Sequence, residues 1–530
     1  MYAVFGRVIV IDQQVINEKM AEHSVAKKIF RGTIIIILVG ILAKLTSFAV
    51  EAVLAAYLGT TYQSDAYYMV NGVQMVLYPM LSVGIWKVFL PLYKEKITHG
   101  LTEEANALTN KVITFFSIVS FVAVGLLILL AGPVVSVVAP GFEGETKELC
   151  IKLVRISAPM YFFIIAASVY ASILQANNKF LGSQIREVAS HIPTIIAAIF
   201  FYKKFGIEAM AIALVVGGAV RLLIELPFVS WGYRYKPDLR FKTHEFGVML
   251  KRLPSALISE GVVQLNTLID KVMASTLPEG TISALNYGHK LTNVFSGLLS
   301  SAIATALYPQ MIELIALKKE EELSKLLVRI INIFCVLMVP VTIACVLFRT
   351  ELVSAVFQRG SFSADSTSLT SGVFALYALG LFFIASNAVV TNLFYGYGDT
   401  KTPMLISLAN LAVNVALNFA FIYFWGVNGL ALATSLSAII TFFIRIKAAE
   451  RYIRLDNKRL IVTAMKVFVA AAVACLVPRI LFWLLPINKY AVLAISFLMG
   501  VGLYFVAVKL LKVTEINDLI ILLKKKLKRV

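Results

Sequence analysis

The residues most able to do chemistry in this chain are charged side chains set inside apolar sequence. Asp270, Lys271, His289 and Lys290 fall within one such stretch, Asp270 to Pro309. An ion held in hydrocarbon costs several kcal/mol unless a partner or a wet cavity receives it. Asn286, Lys290, Asn293, Gly297 and Ser300 recur at helical spacing and form one polar, small-residue stripe. Such a stripe faces the interior of a helix bundle. Lys44 and Glu51 lie on nearly one face of an earlier helix, with Ser47 between them. They read either as an internal ion pair or as charged lining of a central cavity. Asn71, Gln74, Tyr78 and Ser82 share another face, with Lys87 further along and Asp65 placed as the expected N-cap of that helix. Glu260, Gln264, Thr267 and Asp270 or Lys271 continue the pattern. A cavity lined by Lys44, Lys87 and Lys290 would favour an anion such as a pyrophosphate. Lysine offers a point charge rather than a planar fork, so selectivity falls to neighbours such as Glu51, Asn286 and Asn293.

A second polar group is neutral. Asn410, Asn414 and Asn418 are spaced four apart, and Thr434, Ser437 and Thr441 follow on the next apolar segment. These amides and hydroxyls read either as interhelical glue or as a solute or ion site shared with the helix that carries Asp270. Arg155, Arg186, Glu187, His191, Arg221 and Glu225 read as pairing or snorkelling groups. Cys150, Cys335, Cys345 and Cys475 show no metal-type spacing. Walker loops, GxSxG and HExxH motifs are absent from the sequence, and no long extramembrane loop carries a carboxylate cluster. Chemistry therefore gives way to transport, with no catalytic residues and no organic cofactor expected.

The elements that must position these groups are membrane helices. The chain has 530 residues, of which 59% are hydrophobic and only 15% charged, and its mean hydropathy is +0.84. A spanning helix needs about 20 mostly apolar residues, and roughly fourteen such windows fall along the sequence. The expected fold is an all-α polytopic membrane protein. The formal charge of +19 could suggest nucleic acid, but its distribution speaks for a membrane. With both ends assigned to the cytoplasm, roughly 35 Lys and Arg fall in cytoplasmic segments against about 8 on the far side. The basic run Lys524 to Arg529 would meet an anionic inner leaflet. No secretory signal precedes the first window, and Met20 is a candidate natural start.

An internal repeat organises the chain. Phe205 to Ala211 matches Trp425 to Ala431 at an offset of 220 residues. Leu174 to Asn177 falls opposite Phe394 to Tyr397 at the same offset. The expected layout is a cytoplasmic segment over 1–31, a six-helix N-lobe over 32–233 and a connector over 234–252. A six-helix C-lobe over 253–450, two appended helices over 451–512 and a basic tail over 513–530 complete it. Matched lobes around a midplane cavity suit an alternating-access carrier. A drug or cation antiporter and a polyprenyl-phosphate sugar transferase are the competing classes. The transferase would need acids in an exposed loop.

Those features carry a family resemblance. Ser64–Met69 (SDAYYM), Phe89–Tyr93 (FLPLY), LIDKVMASTLPEGTISALNYGHKL, ATALYP, NLFYGYGDTKTP and WGVNGLALATSLSA are similar to motifs of the MurJ (MviN) lipid II flippases. That family lies in the multidrug/oligosaccharidyl-lipid/polysaccharide exporter superfamily. The resemblance implies fourteen helices, a bacterial cell-membrane location, and transfer of an undecaprenyl-pyrophosphate-linked peptidoglycan precursor to the outer leaflet. Another lipid-linked glycan is the alternative cargo. It also implies that the appended helices form a groove for the lipid tail. Lys290, Glu51 and Lys44 take the places of family cavity residues, and Asp270, Asn414, Asn418, Thr434 and the Leu430 carbonyl those of a Na+ site. The chain departs from the family pattern at Val50, at Leu77-Tyr78-Pro79, at His289-Lys290 and at Asn418.

Overall fold

In lipid every backbone amide and carbonyl must find its partner within the chain, and apolar runs of this length meet that need as helices. A computed structural model describes residues 38–229, 233–484 and 489–513, together with Glu515. The expected segment 1–31 and most of the tail 513–530 lie outside the described residues, as do the side chains of Tyr78, Glu260 and Ser300, and Gly297 with them. The first lobe runs α1 (Leu38–Leu58), α2 (Tyr62–Thr98), α3 (Thr102–Leu129), α4 (Ala131–Val138), α5 (Gly144–Ser157) and α6 (Met160–Ala176). It continues through α7 (Phe180–Ile196), a π-helical turn at Ala197–Phe201, α8 (Tyr202–Phe205) and α9 (Glu208–Val229). The second lobe runs α10 (His244–Ala274), α11 (Thr281–Ala316), α12 (Glu320–Leu347), α13 (Arg349–Phe357) and α14 (Ala364–Ala378). It closes with α15 (Leu381–Gly396), α16 (Lys401–Trp425) and α17 (Val427–Ala449), after which α18 (Asn457–Leu484) and α19 (Lys489–Leu510) are appended. No strand occurs among the described residues.

Nine of the described helices are long and apolar enough to cross a membrane, or eleven when two bent pairs each count as one span. The bent pairs are α5–α6 and α14–α15, broken by 41° and 40°, and they occupy equivalent places in the two lobes. The expected fourteen spans are not reached by that count. Helices α2, α10 and α11, of 37, 31 and 36 residues, nevertheless exceed the ~20 residues that span hydrocarbon. Helix α10 begins at His244, so it takes up part of the expected connector.

The lobes meet along α2 and α10 and again at the end bearing the turns before α2, α5, α11 and α14, called the turn end here. One apolar cluster there joins Leu54, Tyr68 and Phe142 of the first lobe to Tyr287, Phe362 and Phe374 of the second. Tyr68 and Tyr287 pack edge to face with centroids 5.3 Å apart. Gly280 has φ +87°, and a Cβ there would come 2.7 Å from the Thr60 carbonyl oxygen, so only glycine permits this approach. Asp65 was expected to cap α2, but Thr61 does so, in a capping box with Ser64. Asp65 reaches across instead. Its buried carboxylate accepts the Gly280 and Ser283 amides of α11 at 2.7 and 2.8 Å, where the helix dipole favours a negative charge.

At the opposite end, Lys96 of α2 meets Glu245 of α10 at 3.2 Å. The strap leading into α10 is pinned along α3. Tyr233 donates its hydroxyl to Asn110 Oδ1 at 2.6 Å, and the Asp238 amide donates to Thr114 Oγ1 at 3.2 Å. Arg240, and after it Lys111, hold the Asp238 carboxyl well below the usual carboxylate range.

Candidate functional site

The α1 and α11 stripes converge on one carboxylate. Glu51 is buried and forms an ion pair with Lys290 at 3.2 Å. Its other oxygen, Oε2, accepts the Tyr68 hydroxyl at 2.8 Å and Asn286 Nδ2 at 3.1 Å. Three donors from α2 and α11 therefore hold one acid of α1, and two of them come from the other lobe. Neighbouring Lys271 points elsewhere, donating to the Tyr68 carbonyl at 2.9 Å.

These groups edge a cavity of about 240 Å³ walled by α1, α2, α6, α7 and α9 and closed by Asn286 and Lys290 of α11. Lys44, expected in this lining, is not there; it sits on an exposed part of α1. Lys87 is likewise exposed and lies outside the lining, further along α2. Lys44 lies nearly two turns before Glu51 on the same side of α1, so it is the distance along the helix, not its face, that keeps it out of the lining. Asn293 is exposed, with its amide 3.3 Å from the His289 ring. The cavity's second cation is Arg221, with His191 beside it. Arg221 forms a two-pronged pair with Glu187, at 2.9 and 2.7 Å, while Arg186 pairs with Glu225 at 2.9 Å. Sequence reasoning had these residues as pairs but not as cavity lining. The usable signal was that Ser190, His191, Thr194 and Arg221 can share one α7–α9 face.

The second expected cluster also assembles. Asn418 Nδ2 donates to Asp270 Oδ1 at 2.6 Å and to Asn414 Oδ1 at 3.1 Å. Thr434 Oγ1 lies 3.1 Å from Asp270 Oδ2 and 3.2 Å from the Leu430 carbonyl, and it accepts Asn414 Nδ2 at 3.3 Å. All partners of this buried carboxylate are neutral. The oxygens of Asp270, Asn414, Thr434 and Leu430 suit a weakly held monovalent cation. Asn418 now presents its N–H to two of those oxygens, while its own Oδ1 is buried without a donor among the described residues. The set fits a cation once that amide presents its oxygen. No group of three His, Cys, Asp or Glu able to hold a metal occurs among the described residues, and all four cysteines are free and buried.

Comparison with known proteins places the whole chain. A family model described as lipid II flippase MurJ matches residues 54–503. A probable lipid II flippase MurJ of Rickettsia prowazekii is 24% identical over 510 residues, spanning 92% of this chain and 99% of its own. A solved lipid II flippase MurJ in an inward closed conformation superposes with a TM-score of 0.78 at 23% identity, covering 92% of this chain and all of that one. An inward-facing multidrug resistance MATE transporter of the MOP superfamily gives 0.64 at 15% identity, over 79% of this chain and 98% of its own.

Proposed function

The chain belongs to the lipid II flippase MurJ family, and on that premise we propose how its geometry carries a lipid-linked peptidoglycan precursor between leaflets. The observation that carries the reading is the Glu51–Lys290 pair, an acid of one lobe holding a cation of the other at the edge of an interlobe cavity. The precursor's pyrophosphate competes with Glu51 for Lys290. Glu51 keeps its bonds to Tyr68 and Asn286 when it yields, so the carboxylate gives up its counter-charge but not its hydrogen-bond donors. Arg221, which its fork to Glu187 holds at the cavity wall, supplies the second cationic contact.

The cavity of about 240 Å³ is smaller than the ~300–1,000 Å³ of ordinary ligand pockets. A disaccharide-bearing headgroup therefore enters only when the lobes part. The positive-inside bias supports the turn end as the outer face and both termini as cytoplasmic. Asp65 then acts as a clasp on the outside, and rocking the lobes releases Gly280 and Ser283. The exposed faces of α18 and α19, with Met465, Phe468 and Phe497, offer apolar surface for the polyprenyl chain. Asp270, Asn414, Asn418, Thr434 and the Leu430 carbonyl would hold a Na+ ion, which would compensate the charge of the buried carboxylate.

Translocation in vesicles containing the purified protein tests this, with lipid II compared against other undecaprenyl-linked glycans. Lipid II should move fastest, and Lys290→Ala should stop it. Equal movement of every glycan would overturn the peptidoglycan assignment, and an active Lys290→Ala protein the cavity assignment.

A further inference from the structure

Both lobes build the same cleft at the turn end, and they finish it differently. In the N-lobe, Lys152 on α5 pairs with Glu208 at the start of α9. Arg155, one turn on, donates its Nε–H to the Ile128 carbonyl at 3.2 Å. At the repeat offset of 220, Gly372 stands opposite Lys152, Ala375 opposite Arg155 and Asn428 opposite Glu208. The register is fixed by Gly206 and Gly426, which precede the paired helices with φ of +61° and +54°. With three long side chains replaced by shorter ones, the C-lobe holds a pocket of about 410 Å³ between α12, α14 and α17. A Cβ on Gly372 would come 2.7 Å from Asn428 Oδ1, so the glycine keeps Asn428 in place.

The pocket's chemistry is mixed. Arg349 at the start of α13 contributes a cation, and Thr350, Ser368 and Ser371 contribute hydroxyls. Asn428 Oδ1 is buried with no donor among the described residues. Leu376 and Leu379 make an apolar wall, and Leu379 is 37% exposed. No carboxylate is in the lining, so the pocket carries a net positive charge. It opens where α12 ends and α17 begins and runs along α14 from Ser368 to Leu379, so its mouth lies at the level at which spanning helices meet lipid headgroups. None of its residues lines the central cavity.

We propose that this pocket binds the phosphodiester headgroup of an anionic phospholipid from the leaflet at the turn end. The guanidinium fork of Arg349 takes the phosphate oxygens, the hydroxyls take the headgroup, and an acyl chain lies along the leucines. The N-lobe twin is shut by its own side chains, so one lipid binds per chain.

The test uses the full-length protein, delipidated in detergent and titrated with phosphatidylglycerol, phosphatidylcholine or inorganic phosphate, with retained lipid read by native mass spectrometry. One phosphatidylglycerol per chain should be held in preference to phosphatidylcholine. Arg349→Gln should lower its retention roughly tenfold, as expected for loss of one charge-assisted pair. Gly372→Lys combined with Asn428→Glu rebuilds the N-lobe pair across the pocket and should abolish it. Retention unchanged in Arg349→Gln overturns the site even if the double variant fails to fold. Displacement of the lipid by inorganic phosphate overturns the headgroup assignment in favour of a free-anion site. Vesicle translocation, measured in parallel, keeps failure of this inference separate from failure of the transport reading.

Discussion

The seam between α7 and α9 and its counterpart between α16 and α17 occupy equivalent places in the two lobes, yet they are built from opposite chemistries. The first holds three ion pairs, Arg186–Glu225, Arg221–Glu187 and Arg186–Glu187. In the second, Ser407 stands where Glu187 stands, Thr441 where Arg221 does, and Arg445 where Glu225 does. Thr441 donates to Asn410 Oδ1 at 3.3 Å, and Arg445 reaches the Ser407 hydroxyl at 3.4 Å. Formal counter-charges hold a guanidinium still at the cavity wall in one lobe. In the other, the seam has Arg445 but no acid to match it, and Asp270 of α10 is left with amide and hydroxyl partners alone. The contrast separates a lobe that fixes cations from a lobe that could receive one.

The largest effect that could break this contrast is at the cavity itself. Lys290→Glu sets a second acid beside Glu51, and translocation in vesicles should fall more than ~100-fold, as loss of a buried pair at about 3–5 kcal/mol implies. Within the charged seam, Glu225→Ala leaves Arg186 without its main counter-charge and should cost about 3–5 kcal/mol of stability, read as a lower melting temperature in detergent. Its counterpart Arg445→Ala breaks only a contact to a neutral hydroxyl and should cost about 1–3 kcal/mol. Equal losses in the two variants would mean that the seams do not differ in kind.

A smaller effect sharpens the role of the second seam. Replacing choline with sodium should stabilise the wild type by on the order of 1 kcal/mol at moderate saturation, and Asp270→Asn should remove that response without unfolding the protein. The smallest lies in the strap between the lobes. Because the Asp238 pKa is depressed in the fold, its contribution is complete above the ordinary aspartate range and is lost as pH falls through the lowered value. Melting curves of the wild type and Asp238→Asn should differ at neutral pH and converge in strong acid.

Much of the candidate site was legible because its signals are local. The four-residue spacing of Asn410, Asn414 and Asn418 places them on one helix face wherever that helix goes. The stripe containing Asn286 and Lys290 marks an inward face for the same reason. The repeat at 220 residues was legible because it appears in the chain's own letters. Three readings failed where a partner had to be chosen. Asp65 was read as a cap for its own helix and serves the other lobe's, and Lys44 and Lys87 were placed in a cavity they do not line. Arg221 was read as a simple pair and is a cavity wall.

Hydropathy and repetition alone therefore determined a helical membrane protein of two matched lobes and named most of its polar inward faces. Tertiary structure alone decided which acid meets which base across the lobes, and which of two equivalent clefts stays open. Periodicity fixes the face of a helix a residue lies on, but the pairing of faces depends on helix rotation and crossing. Those follow from side-chain packing between segments hundreds of residues apart, which no local pattern encodes.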